Sequence, residues 1–360
     1  MKKYNVCVVG VGAVGIEMLR CLRQRNFPIG ELRVFARLVR DIEVDGEVYN
    51  VKAISPEGFE GIDIALFAGT EGEKGAAVTY AQEAVKRGAV VIDNGADFRM
   101  DPRVPLVVPE VNAEEINPVR NWFLSGSSDI SKGVKKHKGI IANPNCSTIQ
   151  MVVAIYPIYK VAGIRRIVVC TYQAASGAGR AAVEQLRKEL MELSKSEYQS
   201  LRVSECQERV LPQQLAFNVF PHIGAFKEFD YTTEEWKMVE ETHKILGDNK
   251  IKITATTVRV PVRTGHSEAV YLETKKFIPI DKVKNILSNA LGIKVIDKPQ
   301  NNLYPIPIDV EGKDEVFVGR IRSDPFVKNG LWLWVVSDNL LKGAALNAVQ
   351  IAQGLIAKEK

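Results

Sequence analysis

The chain has 360 residues, 46% of them hydrophobic and 25% charged, with 27 Gly against 16 Pro. Composition of this kind describes a globular protein, and at ~100–200 residues per domain two domains are expected. Lys plus Arg at 48 against Asp plus Glu at 43 leaves a net charge of +5, with a basic run only at 135–138. That is far short of a nucleic-acid footprint.

Cys7, Cys21, Cys146, Cys170 and Cys206 stand singly, without CxxC or Cys/His ligand spacing. Neither a disulfide framework nor a metal site is indicated, and a reducing, cytoplasmic setting fits best. No apolar run approaches the ~18 residues of a membrane span, so no membrane partner is expected.

In chain order, residues 5–10 read as a strand, 15–25 as a helix, 31–36 and 62–68 as strands, 75–87 as a helix and 90–93 as a strand. This alternation of short β-branched runs with helical stretches is the pattern of a doubly wound parallel sheet of Rossmann type. From residue 164 the strands lengthen and alternate (167–172, 253–261, 268–274, 315–322, 331–337), as in a largely antiparallel sheet of an α+β domain. Residues 339–357 carry apolar side chains at helical spacing and are predicted to return to the first domain. The expected division is 1–143 plus 338–360 for nucleotide binding, and 144–337 for catalysis and dimerisation. The Ser-, Gly- and Lys-rich stretch 121–138 reads as a surface excursion.

An apolar strand runs into Gly10-Val11-Gly12-Ala13-Val14-Gly15 and then into a helix. In that context Gly10 permits the tight turn, Gly12 lets the backbone approach a pyrophosphate, and Gly15 allows close packing of helix on strand. The helix start, with Ala13 and Val14, presents backbone N–H groups to phosphate. After the second strand stand Arg37 and Arg40, where an acidic residue would suit a ribose hydroxyl. Guanidinium groups there match a 2′-phosphate, so NADP is preferred over NAD, the alternative being solvated surface arginines.

Asn143-Pro144-Asn145-Cys146-Ser147-Thr148 announces a helix that starts at a thiol and runs on through residues 151–155. Unpaired N–H groups and the positive helix end favour thiolate there, which makes Cys146 the best nucleophile candidate. Cys7 and Cys170, inside apolar strands, read as small hydrophobes. Among His137, His222, His243 and His266, the last lies in a turn between two strands close to Arg259 and Arg263, a good position for an acid/base beside an anionic substrate. His137 falls in the basic loop, and His243 reads as a helix-surface residue.

At these residues, and at residues 107–112 (VVPEVN), 171–179 (TYQAASGAG), 259–271, 317–322 (FVGRIR) and 334–345 (WVVSDNLLKGAA), the chain resembles the aspartate-semialdehyde dehydrogenases over almost its whole length. The resemblance implies NADPH-dependent reductive dephosphorylation of 4-phospho-L-aspartate to L-aspartate 4-semialdehyde. This is a step towards lysine, threonine, methionine and diaminopimelate, and it is carried out by a homodimer. It makes Cys146 the nucleophile, His266 the acid/base, and Gln173 with Asn145 the groups that orient and stabilise the acyl intermediate. Arg259 becomes the clamp for the substrate carboxylate, Glu234 and Lys237 the pair for amino group and phosphate, and Arg99 and Asn112 the remaining phosphate residues. Ser176, Gly177 and Asn339 join the cofactor set.

The chain departs from the family on the cofactor side. Residues 10–15 lack the usual GATGxVG form, the Ser/Arg pair after the second strand is replaced around Arg37, Val39 and Arg40, and the turn after the third strand reads FAGTEG over 67–72. Two rivals remain: an N-acetyl-glutamyl-phosphate reductase-like acyl reductase, and a non-catalytic nucleotide-binding paralogue. The Glu234/Lys237 pair argues against the first, and Cys146, Gln173 and His266 together against the second.

Overall fold

The structure is a computed structural model, and it describes residues 2–69, 75–116, 139–195, 202–203 and 209–357. The 121–138 stretch with His137, Cys206, and residues 70–72 of the third-strand turn lie outside the described residues. The chain forms two compact units, one comprising Met1–Asn145, Lys244–Leu246 and Ala344–Lys360, the other Cys146–His243 and Gly247–Gly343.

The first unit is built on β1 (Tyr4–Val9), β2 (Ile29–Ala36), β3 (Arg40–Val44), β4 (Glu47–Ala53), β5 (Ile64–Phe67), β6 (Val90–Asp93) and β7 (Ile140–Ala142), in the order β3-β4-β2-β1-β5-β6-β7. All pairs are parallel except β3–β4. The central strands are apolar at successive positions because helices cover both faces: Val6, Cys7, Val8 and Val9 are all buried. Helix α1 (Ala13–Gln24) buries Met18, Leu19, Cys21 and Leu22, and α2 (Ala76–Lys86) buries Ala77, Ala81 and Ala84. The C-terminal helix Leu346–Ile356 packs on α1.

The sequence reading passes from residues 31–36 directly to 62–68, whereas the structure inserts the β3–β4 hairpin. Its turn is Asp45-Gly46, both at positive φ (51° and 81°). That dipeptide is a strong hairpin signal, and it could have been read.

The second unit holds β8 (Ile164–Gln173), β9 (Lys252–Arg259), β10 (His266–Thr274), β11 (Ile293–Val295), β12 (Val316–Ser323) and β13 (Gly330–Ser337), in the order β11-β12-β13-β10-β8-β9. The central pairs are antiparallel, and β8–β9 and β11–β12 are parallel. Helices α3 (Cys146–Ala162), α4 (Arg180–Lys195), α5 (Thr233–Leu246, up to His243) and α6 (Ile280–Ser288) complete it. Helix α3 is buried at every position from Ser147 to Ile155 and packs on β10 and β13, so it lacks a polar stripe. It continues through Pro157 to Ala162.

On the face of the sheet away from Thr171 and Gln173, Tyr172 meets Trp334 (ring centroids 5.5 Å) and Tyr271 meets Trp332 (5.0 Å), with the Arg322 guanidinium 5.5 Å over Trp332.

Two expectations need correction. His266 opens β10 and does not lie in the preceding turn, because its backbone pairs in register with Ser337. The predicted 339–357 helix begins with a π-helical stretch, Leu341–Ala345, before its α-helical part. Asp338 sets that start: its carboxylate accepts from the N–H groups of Leu340 (2.8 Å) and Leu341 (3.1 Å). No helix among the described residues is long and apolar enough to cross a membrane.

Candidate active site

Cys146 is the first residue of α3, where Pro144 and Asn145 prepare the helix start. It is half-buried. The π-helical turn brings Gly343 against it: a Cβ on Gly343 would lie 2.9 Å from Cys146 Cβ. Only glycine fits, and single π turns of this kind are frequent at functional sites. The Gln173 amide, at the end of β8, donates to Ser147 Oγ (2.9 Å) and to Glu234 Oε1 (3.0 Å). It thereby ties the first turn of α3 to α5.

Glu234 is placed by a capping box at the start of α5. Thr232 Oγ1 accepts from Glu235 N–H (3.3 Å), and the Thr232 N–H donates to Glu235 Oε2 (2.7 Å). Lys237, three residues on, is half-buried and lines an open depression with Lys227, Thr233 and Trp236.

His266 is fully buried, and its Nδ1 accepts a hydrogen bond from the Ala174 N–H at 3.1 Å. A ring nitrogen that accepts from a backbone N–H carries no proton, so the imidazole is neutral with its hydrogen on Nε2. Burial, and then the charge of Arg259, push its pKa well below the ordinary histidine value. Arg259 ends β9 beside Gln173, and its Nη1 donates to the Ala174 carbonyl (2.7 Å). Burial lowers its pKa, opposed by the neighbouring Glu234 carboxylate and Cys146 sulfur.

His266 Nε2 and Arg259 Nε are buried donors with no hydrogen-bond partner among the described residues. A Cβ on Gly177 would sit 2.9 Å from His266 Nε2 and 3.0 Å from Arg259 Nη1. Buried donors are rarely left unsatisfied, and the unpaired His266 Nε2 beside Gly177, with the unpaired Arg259 Nε at the end of β9, marks a place for an acceptor-bearing ligand. Asn339 braces this region: its Oδ1 accepts from the Gly265 N–H (2.9 Å) and its Nδ2 donates to Ser176 Oγ (3.0 Å).

In the first unit, Gly10 has φ +100°, and a Cβ on Gly15 would fall 1.9 Å from the Gly10 carbonyl oxygen. Nothing lies within 4 Å of the Cβ position of Gly12, the cap of α1, so the cradle fits a dinucleotide phosphate. Ala13 and Val14 form the first turn of α1. Arg37 directly follows β2 and Arg40 opens β3, and both are exposed. Buried Arg99 donates from Nε to the Asn143 carbonyl and from Nη2 to the Asn94 carbonyl, both at 2.9 Å. The Asn112 amide is engaged within its own loop, accepting from the Val108 N–H and donating to the Leu106 carbonyl. Asn145, also buried, ends the first unit.

Of the other histidines, His243 bonds the Ile251 carbonyl (2.8 Å) and His222 stacks on Phe226 (4.5 Å). Burial pushes the Cys7 thiol far up, and Cys170 is half-buried. Sequence reasoning missed Ala174, Gly343, Ser147, Gln150 and Glu268. For Gly343 the only local hint is a glycine inside a helical pattern.

A parallel dinucleotide-binding sheet joined to a second α+β unit is the build of a two-domain oxidoreductase. Residues 5–119 match the family described as semialdehyde dehydrogenase, NAD binding domain, and residues 155–342 the one described as semialdehyde dehydrogenase, dimerisation domain. An aspartate-semialdehyde dehydrogenase of Aquifex aeolicus is 50% identical over 99% of this chain and 98% of its own. The crystal structure of aspartate semialdehyde dehydrogenase II complexed with ASA from Vibrio cholerae is similar at 40% identity and a TM-score of 0.89, covering 100% of both chains. That of the Candida albicans enzyme with NADP is similar at 25% identity and 0.73, covering 99% of each. The chain belongs to the aspartate-semialdehyde dehydrogenase family.

Proposed function

We propose that the protein catalyses the NADPH-dependent reductive dephosphorylation of 4-phospho-L-aspartate to L-aspartate 4-semialdehyde through a thioester on Cys146, towards lysine, threonine, methionine and diaminopimelate. The observation that carries this reading is the pair of unsatisfied buried donors, His266 Nε2 and Arg259 Nε, in the unit that begins at Cys146. The Cys146 thiolate attacks the acyl carbon, and the carbonyl oxygen takes the negative charge. His266 Nε2–H donates to that oxyanion, assisted by the Asn145 amide, while the Gln173 amide orients the acyl intermediate by tying the first turn of α3 to Glu234. Collapse expels phosphate and leaves the thioester. A nicotinamide dinucleotide held at Gly10, Gly12 and Gly15 supplies the hydride when bound. The second oxyanion returns the sulfur as thiolate, so the one proton consumed ends on phosphate. Arg259 clamps the substrate carboxylate, Glu234 its amino group, and Lys237, Arg99 and Asn112 serve the phosphate.

Arg37 and Arg40 favour NADP as the nucleotide, with Ser176, Gly177 and Asn339 completing its site. The enzyme acts in the cytoplasm as a homodimer, and the aromatic face of the second sheet, with Tyr172, Trp332 and Trp334, is the surface suited to pair with a second copy. The direct test is nucleotide reduction by purified protein given L-aspartate 4-semialdehyde and phosphate, with NADP and NAD in parallel. Phosphate-dependent reduction, faster with NADP, is expected; no reduction of either nucleotide would remove the reading.

A further inference from the structure

Gln150 lies one helical turn after Cys146 on α3, and it is fully buried. Its Nε2 donates to the backbone carbonyl of His266 at 3.4 Å. Glu268 follows His266 by two residues on β10, so both side chains point to the face of the sheet that α3 covers. The Glu268 carboxyl is fully buried beside the Gln150 amide. Its other neighbours are neutral: Thr171 stands opposite on β8 and Val335 on β13, with Ser337 next along that strand. From α5 the charge of Glu234 repels a carboxylate here.

No cation is among these neighbours, and neither carboxyl oxygen, nor Gln150 Oε1, makes a well-formed hydrogen bond with the side chains as oriented. Burial drives the Glu268 pKa well above the usual carboxylate range. The Gln150 amide opposes that shift by hydrogen-bonding the carboxyl, so the two side chains meet, and a protonated Glu268 has an O–H to offer the unpartnered Gln150 Oε1.

We infer that Glu268 and Gln150 are positioning residues for the Cys146–His266 pair: the carboxylic acid holds the amide, the amide holds the His266 carbonyl, and the helix that starts at the nucleophile is thereby locked to the strand that starts at the imidazole. The inference rests on the proposed roles of Cys146 and His266. It does not depend on the identity of the substrate. Neither residue touches substrate; both act through the placement of other groups, where a shift of about 1 Å costs on the order of 100-fold in rate.

The test compares Glu268→Met, Glu268→Gln, Gln150→Met and the double Met variant in the full-length protein, each verified as folded by its melting curve. Glu268→Met is expected to lower kcat by about 10- to 100-fold with KM for the semialdehyde within about threefold. Glu268→Gln, which keeps a neutral donor of the same length, is expected to restore kcat to within about threefold of wild type. The double variant should fall no more than about twofold below the worse single, because the two act as one unit. In parallel, the rate of Cys146 alkylation by iodoacetamide should drop about fivefold or more in Glu268→Met and recover in Glu268→Gln.

Wild-type kcat in Glu268→Met, equal damage from Gln and Met, or multiplicative losses in the double variant would overturn the inference. Should the wild-type protein fail to turn over the semialdehyde, the function assignment fails alone. The alkylation series then still decides the positioning claim, because unchanged rates in Glu268→Met sink it.

Discussion

The backbone N–H of Ala174 donates to Nδ1 of His266, and the buried ring is thereby kept neutral with Nε2–H as its only donor. A hydrogen-bond donor at Nε2 suits an oxyanion that forms and collapses without net proton transfer, as in the proposed acyl transfer.

Replacing His266 by Gln retains a neutral donor, whereas Leu removes it. Glutamine is expected to keep about 10-fold or more of the kcat that leucine loses, measured under saturating substrate. Equal loss in both variants would show that the ring acts through ionisation.

The same burial has a consequence for stability. The folded pKa of His266 is depressed, so above the unfolded value of about 6.5 neither state binds the proton, and below it the unfolded chain binds one that the native chain refuses. Stability from this group is therefore full above that pH and is lost as pH falls through it. Urea midpoints at about pH 7.5 and 5.5 should drop more for the wild type than for His266→Gln. Parallel drops would contradict a buried neutral ring.

Gly343→Ala places a methyl 2.9 Å from Cys146 Cβ, in a turn whose start Asp338 fixes. Either the thiol or the π-helical turn must move, and kcat is expected to fall about 10- to 100-fold while the fold survives. Steady-state kinetics with a melting curve separate the two effects, and unchanged kcat would show that the turn yields freely.

Arg37 and Arg40 changed together to Gln should raise KM for NADP by about 10-fold or more and leave KM for NAD within about twofold, since a charge-assisted bond to phosphate contributes about 1.5–3 kcal/mol. An unchanged NADP/NAD ratio would place the 2′-phosphate elsewhere.

What was legible in the sequence is what short stretches determine. Gly10, Gly12 and Gly15 lie within six residues and impose their geometry locally, and Pro144-Asn145-Cys146 marks a helix start without outside help. Glu234 enters through the family resemblance alone, although Thr232 and Glu235, which cap its helix, are a local signal of where that helix starts. Partnerships made by distant backbone could not be read. The Ala174 N–H that sets the His266 tautomer, the Gly343 that presses on Cys146 and the Gln150 amide on the His266 carbonyl come from segments roughly 90–200 residues apart, brought together only by sheet register and helix packing. The place of His266 at the start of a strand is hidden for the same reason, since its partner Ser337 lies far along the chain.

Acyl transfer to Cys146 is tested most directly by acid-quenching the enzyme during turnover of L-aspartate 4-semialdehyde with NADP and limiting phosphate, then weighing the intact protein and its Cys146 peptide. An aspartyl adduct on that peptide, absent in a folded Cys146→Ala variant that neither turns over nor forms adduct, is the predicted result. Wild-type turnover by Cys146→Ala, or an adduct carried by another residue, would contradict the mechanism.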